Sequence, residues 1–376
     1  MKNVFFLLLV GFFLYACSQS QEEELKEKKA KIEAKSKDEK GIIQGKSLAK
    51  YVGKPGRLIV VCDKTVFTEE LFQALDTTFG EFIRPYYPPF QKFEVIQIDK
   101  DRFDKGLRRT RNVLLIELTE DVPAGKPEMR IKKDYYAKHQ LLTEIKANTM
   151  NDLMNLIVKE IPGLVKLYEE LEWKREYYRH KKANNKVIKK RLVKDFGITL
   201  ELPKKGRYEY NKKDYAHIIF PERSRQMDIE TNNESDYSTS KANFIQSGIM
   251  IWETPFKDSF QLHPEYLLQV RDTILKYNAK HQFPGVYMGT QDHPAVLPVY
   301  KRLKIGEVEG YEFKGLFKFT GRLEPSGGKF WSFHFYHPKR NSIIAVSGYL
   351  DAPPTMNPAL DLRRIQAVLY SIKLED

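Results

Sequence analysis

The run from Gly315 to Leu350 constrains this chain most, because its spacing predicts three neighbouring strands of one antiparallel meander. The segments Gly315 to Thr320, Phe330 to His337 and Ser342 to Leu350 are separated only by short turn-forming sequences, Ser326-Gly327-Gly328 and His337-Pro338-Lys339-Arg340-Asn341. In the middle segment Trp331, Phe333 and Phe335 point to one face, and Ser332, His334 and Tyr336 to the other. The aromatic face should be the core. Asn357 as a cap and Pro358 as first helical residue then open a last helix. Its Leu362, Ile365, Leu369 and Ile372 repeat at helical spacing and should lie across that sheet.

Upstream, Phe196 to Pro203 alternates as a strand closed by proline, and a second strand surrounds His217-Ile218-Ile219-Phe220. Pro221 to Asn243 is polar and reads as a mobile loop, after which Gly248 to Glu253 resumes as a buried strand. His263-Pro264 opens a helix with the apolar stripe Leu267, Val270, Ile274 and Tyr277. Arg271 and Asp272 lie beside that stripe, where a salt bridge is favoured over chemistry.

The earlier half opens at the turn Val52 to Gly56 and the apolar strand Arg57 to Asp63. A helix is expected over Thr68 to Arg84, stopped by Pro85, then strands Phe93 to Ile98 and Asn112 to Leu118. A long helical region is expected from about Gln140 to Val193, with a break at Pro162-Gly163. Its far end is strongly basic, from Lys174 to Lys194, with Glu176 the only acid before Lys194. Lys181, Lys182, Lys186, Lys189 and Lys190 are candidates for contact with an anionic surface. The plainer reading is a solvated helix whose Val187, Ile188, Arg191 stem and Leu192 touch the domain on one side.

The expected fold class is therefore α+β, with two units whose antiparallel or mixed sheets are covered by helices. The units span 45–194 and 195–376 and are joined by the long basic helix.

Location is written in the first residues. Lys2, the apolar run from Val4 to Leu14, and Leu14-Tyr15-Ala16-Cys17 read as a lipoprotein signal over 1–16, leaving Cys17 to carry lipid. The apolar run falls short of the roughly 20 residues a spanning helix needs. Residues 17–44 are dominated by Glu, Lys, Gln and Ser and read as a solvated tether. Ser18 to Glu24 resembles the acid-rich leader that sends lipoproteins of the phylum Bacteroidota to the cell surface. The address implied is the cell envelope, at the outer membrane, with the side left open.

With Cys17 committed to lipid only Cys62 remains, so no intramolecular disulfide can form, and Cys62 reads as a buried strand thiol. Net charge is +13, from 63 Lys and Arg against 50 Asp and Glu, which draws the protein toward anionic lipid or lipopolysaccharide. Nucleic acid is the disfavoured partner for an envelope protein.

Catalytic signatures are sparse. His334 and His337 fall on opposite faces of a strand and cannot share a metal. Ser326-Gly327-Gly328-Lys329 lacks the spacing of a phosphate loop, and no G-x-S-x-G, H-E-x-x-H or dinucleotide glycine pattern occurs. No cofactor is implied, and a dispersed site stays open. The best loop for a binding site is Pro284 to Thr290 with Asp292-His293-Pro294, giving Tyr287, Thr290, Asp292 and His293 as candidates, joined by His334 and Tyr336 of the aromatic strand. The balance favours a non-catalytic binding or assembly lipoprotein with an envelope protein partner. A small-ligand receptor or an enzyme with a dispersed site is the alternative.

Gly53-Lys54-Pro55-Gly56-Arg57-Leu58-Ile59-Val60-Val61, Arg111-Asn112-Val113, Arg271-Asp272-Thr273, Gly285-Val286-Tyr287-Met288, Gly315-Leu316-Phe317, Gly327-Gly328-Lys329-Phe330 and Arg364-Ile365-Gln366-Ala367-Val368-Leu369 carry a resemblance. Together with the lipobox cysteine, over nearly all of the mature chain, they resemble domain of unknown function 4837, a family of Bacteroidota lipoproteins. The resemblance implies an envelope address and no activity. More loosely, the second unit resembles the fold of photosystem II oxygen-evolving subunit P and its bacterial envelope relatives.

Overall fold

A computed structural model describes residues 48–183, 185–225, 243–279, 283–321, 326–353 and 356–375. Cys17, the signal, the tether to residue 44 and residues 226–242 of the polar loop lie outside the described residues. The chain is α+β and divides into two compact units. The first holds the residues up to Gly53 with Arg57–Ala74 and Val95–Ile161; the second holds Lys54–Gly56, Leu75–Glu94 and the chain from Pro162 onward.

In chain order the elements begin with β1 (Arg57–Val61), α1 (Glu69–Phe79), β2 (Glu94–Ile98), β3 (Asn112–Leu118), β4 (Glu128–Lys133) and β5 (Leu141–Ala147). The strands form one sheet in the order β2-β1-β3-β5-β4. β3 runs parallel to both β1 and β5, whereas β4 is antiparallel to β5, so the sheet is mixed. One face buries Ile59, Val61, Val113 and Leu142 with Phe103. Cys62 follows β1 as a buried free thiol, and burial, with Asp63 and Asp99 adding to it, pushes its pKa up to about 11.

Three expectations need correction here. α1 ends at Phe79, short of Pro85. The long helix does not begin near Gln140: Leu141, Leu142 and Ile145 fit helical spacing, but they equally fit a strand buried on both faces, and β3 supplies the parallel partner that decides it. Gln140 is a buried amide whose Nε2 donates to the carbonyls of Arg108 and Thr110. The third concerns Pro162, which lies inside an unbroken helix α2 (Met150–Ala183). The carbonyl that loses its donor there belongs to Val158, a residue 69% exposed, so water can satisfy it.

The second unit continues with α3 (Lys186–Phe196), β6 (Ile198–Thr199), β7 (Arg207–Lys212), β8 (Tyr215–Ile219), β9 (Arg223–Arg225) and β10 (Asn243–Pro255). There follow α4 (Pro264–Asn278), β11 (Tyr287–Thr290), β12 (Val299–Ile305), β13 (Val308–Thr320), β14 (Gly327–His337), β15 (Ser342–Asp351), α5 (Ala359–Leu369) and β16 (Lys373–Leu374). Asn185 caps α3 and Gly197 closes it in the left-handed region at φ 66°. The large sheet runs β11-β13-β14-β15-β10-β8-β7, with β12 on β13 and β9 on β10. Its pairings are antiparallel. Phe196 to Pro203 makes only the short β6, which pairs with β16.

The aromatic meander stands as the spacing requires, with Phe333 opposite Val346 and Val346 opposite Ile251. Trp331, Phe333 and Phe335 pack with Ile344, Ile249 and Ile218, under Leu362, Ile365 and Leu369 of α5 and Ile188, Leu192 and Phe196 of α3. The opposite face is also a core, where Phe330, Phe313, Phe317, Met250, Trp252 and Tyr215 pack with Leu267 and Leu275 of α4. Gly327 and Gly328 lie within β14 rather than in a turn. A Cβ on Gly328 would stand 2.3 Å from the Leu350 carbonyl oxygen, so strand pairing leaves no room for one.

α5 seats closest to the sheet at Gly348, where an added Cβ would meet Ile365 Cγ2 at 2.2 Å. Ile365 is fully buried and cannot turn aside. Gly348→Ala should therefore cost about 1–3 kcal/mol by overpacking, read as a lower urea midpoint. Gly163→Ala, whose added methyl meets nothing within 4 Å on α2, should instead stabilise by about 0.5–1 kcal/mol.

Candidate functional site

The end of the large sheet where β7, β8, β10 and β15 lie side by side carries a cleft of about 530 Å³. Its floor follows from strand register. Met250 pairs with His217, and Gly248 pairs with both Ile219 and Tyr349, so Tyr349 can cross the bare Gly248 toward β8. A Cβ at Gly248 would stand 2.9 Å from Tyr349 Oη. Tyr349 Oη reaches His217 Nε2 at 3.0 Å, and Tyr210 stacks on the other side of the imidazole at 6.0 Å between ring centroids. A β-bulge between Tyr208 and Tyr210 inserts Glu209 and sets Tyr210 on this face.

The three floor rings are half-buried, and Lys205, Arg207, Glu209, Glu222 and Gln246 stand exposed around them. Burial lowers the His217 pKa to about 4, so the ring is neutral at pH 7. Burial raises the Tyr349 phenol far above its ordinary value, and it too is neutral. No protein group among the described residues reaches His217 Nδ1. The floor thus offers aromatic faces, within a rim that carries both signs of charge.

The candidates read from sequence are placed differently. Thr290 lies on β11, where its N–H and Oγ1 donate to Asp272 at 3.0 and 2.7 Å. Arg271 donates to Asp272 and Thr290 at 3.0 Å each, and its guanidinium lies 3.9 Å from the Phe330 ring centre. It is fully buried, and burial lowers its pKa to about 10 against the opposing charge of Asp272. The buried stripe of α4 is Leu267, Arg271 and Leu275. Val270 and Ile274 are half-buried and Tyr277 is 71% exposed, so the expected apolar stripe was rotated by one position around a charged residue.

His334 is buried between Trp252 and Phe313, with ring centroids 5.5 and 4.9 Å away, and its Nε2 lies 3.1 Å from Ser332 Oγ. Tyr287 lies under Lys276 at 5.0 Å, Asp292 pairs with Lys318 at 2.5 Å, and His293 Nδ1 accepts from the Ala295 N–H at 3.2 Å. Tyr336 donates to Asn341 Oδ1 at 3.0 Å in an exposed turn. The cleft includes none of these six. A second cleft, in the first unit, is lined by Lys64, Gln97, Asp99 and Asp104, whose polar atoms are spent on one another or on the turn at Gly106 and Leu107.

The basic run is sorted by the fold. Arg175 pairs with Glu172 at 2.6 Å in a fully buried site, and Arg179 with the buried Glu176 at 2.9 Å. Lys174, Lys189 and Arg191 pair with Glu170, Glu201 and Asp195. Lys181 lies over the Tyr177 ring at 5.9 Å, exposed like Lys182, Lys186 and Lys190. Among the described residues no carboxylate is paired with these four. Val187, expected to touch the domain, is instead 78% exposed, whereas Ile188 and Leu192 are buried as the sequence indicates.

The missed cleft residues come from four strands and share no local motif. Only the bare Gly248 opposite an aromatic strand could have signalled a side chain crossing it.

His180 and His334 are buried in this unit and His217 is half-buried. Burial, aided by Arg364 and Arg179 at His180 and by Arg271 at His334, lowers them to about 3, 4 and 3. The unfolded chain then binds more protons between those values and the ordinary value near 6.5. Stability should be fully present above pH 6.5 and fall as pH drops toward 4, by up to about 1.4 kcal/mol per pH unit for each histidine. Urea midpoints from pH 7.5 to 5 test this, and His217→Gln should flatten the slope by about a third. A midpoint unchanged over that range would contradict the neutral burial.

No curated protein matches the chain. Among solved structures it is similar to the Ran-binding protein Mog1p of Saccharomyces cerevisiae, at 9% identity and a TM-score of 0.29, over 48% of this chain and 91% of that one. It is similar also to a mutant of protein Mog1, at 8% identity and a TM-score of 0.29, over 48% and 92%. Residues 52–181 match a family model described as Domain of unknown function (DUF8532), and the phrases Gly53 to Val61 and Arg111 to Val113 fall there. Residues 185–371, which hold α3, α4, α5, most of the large sheet and the cleft, match the model described as Domain of unknown function (DUF4837).

Proposed function

We propose that the protein is a non-catalytic binding lipoprotein of the cell envelope, anchored in the outer membrane through acylated Cys17 and resting a lysine face on anionic head groups. The observation that supports this most is the sorting of the basic run, in which Lys174, Arg175, Arg179, Lys189 and Arg191 are spent on ion pairs while Lys181, Lys182, Lys186 and Lys190, with Lys194, face solvent. Lys181 and Lys182 occupy the last turn of α2, where the helix dipole favours cations. Lys186 occupies the first turn of α3, where the dipole disfavours one by about 0.3–1 kcal/mol. A folding role would not place a cation there; attraction to an anionic surface, about 1 kcal/mol per lysine close to it, offsets the cost.

The full chain, reconstituted through its own anchor into neutral or anionic vesicles, tests both parts. Labelling with a palmitate analogue should be lost in Cys17→Ala. Lysine acetylation read by mass spectrometry should show Lys182, Lys186 and Lys190 protected only on anionic vesicles, with protection lost at high salt. Equal labelling on both vesicles would remove the lysine face, and palmitate labelling of Cys17→Ala would remove the anchor. The cleft favours a second reading, a small-ligand receptor on the same anchor, because its polar rim surrounds rings that the fold leaves half exposed.

A further inference from the structure

The cleft at the β7 end of the large sheet narrows the chemistry of what it could hold. Its floor is aromatic, with Tyr210 stacked on His217 and Tyr349 meeting the imidazole edge-on, at 6.0 and 5.4 Å between centroids. Such a surface takes the face of a ring. The rim sets Lys205 and Arg207 against Glu209 and Glu222, so opposite charges balance and no net field selects an ion. Arginine and lysine donate, the carboxylates accept, and the Gln246 amide does both. A ligand made of hydroxyls, each a donor and an acceptor, can satisfy all of them, whereas a purely apolar ring would strip water from five polar groups and return nothing.

Whichever ring nitrogen of His217 carries the proton, Nε2 is engaged with Tyr349 Oη and Nδ1 has no protein partner among the described residues. Nδ1 is closed off from the cleft as well as from the protein, so a ligand meets the rings of the floor and takes its hydrogen bonds from the rim. The volume of about 530 Å³ lies in the range of small-molecule sites and holds one or two sugar rings.

We infer that this cleft binds a neutral mono- or disaccharide, one ring laid on Tyr210, His217 and Tyr349 and its hydroxyls turned to Gln246, Arg207 and the rim carboxylates. The inference stands apart from the membrane reading, since none of these residues belongs to the lysine face. Tyr349 positions His217, and Gly248 is the residue that lets it do so.

Saturation-transfer NMR on the full chain in detergent, at pH 7, tests it with glucose, galactose, mannose, N-acetylglucosamine, maltose and lactose. Glucuronate and adenosine monophosphate serve as anionic probes of similar size. At least one neutral sugar should bind saturably and more tightly than either anion. Tyr349→Phe, which keeps the ring and removes the hydroxyl, should weaken that sugar about tenfold, equivalent to one hydrogen bond. Gln246→Ala, at an exposed position, should weaken it several-fold without moving the urea midpoint. Binding by none of the neutral sugars, tighter binding of an anion, or unchanged binding in both variants would each overturn the inference.

Discussion

Burial of the large antiparallel sheet on both faces is the constraint on which the second unit depends. An antiparallel sheet commonly leaves one face to water, and its strands then alternate apolar with polar residues. Here β14 buries Trp331, Phe333 and Phe335 on one side and Phe330, Ser332 and His334 on the other. Each of the large aromatic side chains contributes about 1.5–3 kcal/mol when fully buried. Both covering layers are therefore needed, α5 and α3 on one face and α4 on the other. Gly348 and Gly328 follow from the same demand, since helix and neighbouring strand approach β15 and β14 too closely for a side chain.

Enclosing the sheet also enclosed charged groups, and opposite charges and hydrogen bonds hold them there. Arg271 sits inside the α4 layer because Asp272 and Thr290 take its protons and Phe330 takes its face. Glu312, on the α5 side, keeps its carboxyl below the usual range despite burial, which by itself would raise it. Lys314 and Lys301 supply opposite charge, and Tyr370 and Trp331 donate at 2.7 and 2.9 Å. Arg363 and Arg364 of α5 meet Glu169 and Glu176 of α2 at 3.3 and 3.7 Å, so part of the basic bias in this chain serves packing. These groups look reactive in isolation and are spent on the fold.

Legibility in the sequence followed from how local the deciding interaction was. The meander, the start of α4 at His263-Pro264 and the buried repeat of α5 rest on period and capping within a few residues, and they stand as read. The side chain of Asn357 accepts from the Ala359 N–H at 2.8 Å, at the end where a cap was expected. The helical region expected from about Gln140 takes in β5, whose Leu141, Leu142 and Ile145 satisfy both periods, and only the parallel neighbour β3 separates them. Arg271 was set beside the α4 stripe because hydrophobic patterning assigns no buried place to a cation. Gly327 and Gly328 were read as a turn because glycine marks turns and close approaches alike.

The site was the least legible part, and the reason is geometric. Its floor takes one ring each from β7, β8 and β15, and the residue that makes the arrangement work, Gly248, has no side chain at all. Tyr210 and Tyr349 are also the partly buried margin of the α4-side core, so the cleft begins where that core ends. A sheet buried on both faces must come to an edge, and the aromatic surface that reaches it is either wasted or used. Here the rim around it carries donors and acceptors of balanced charge, and below it the closed-off Nδ1 of His217 has no partner among the described residues. The floor gains nothing for folding from that nitrogen, since an apolar ring in its place would be free of the cost of leaving it unpaired. The tyrosines that close the α4-side core are thus the same rings that line the cleft.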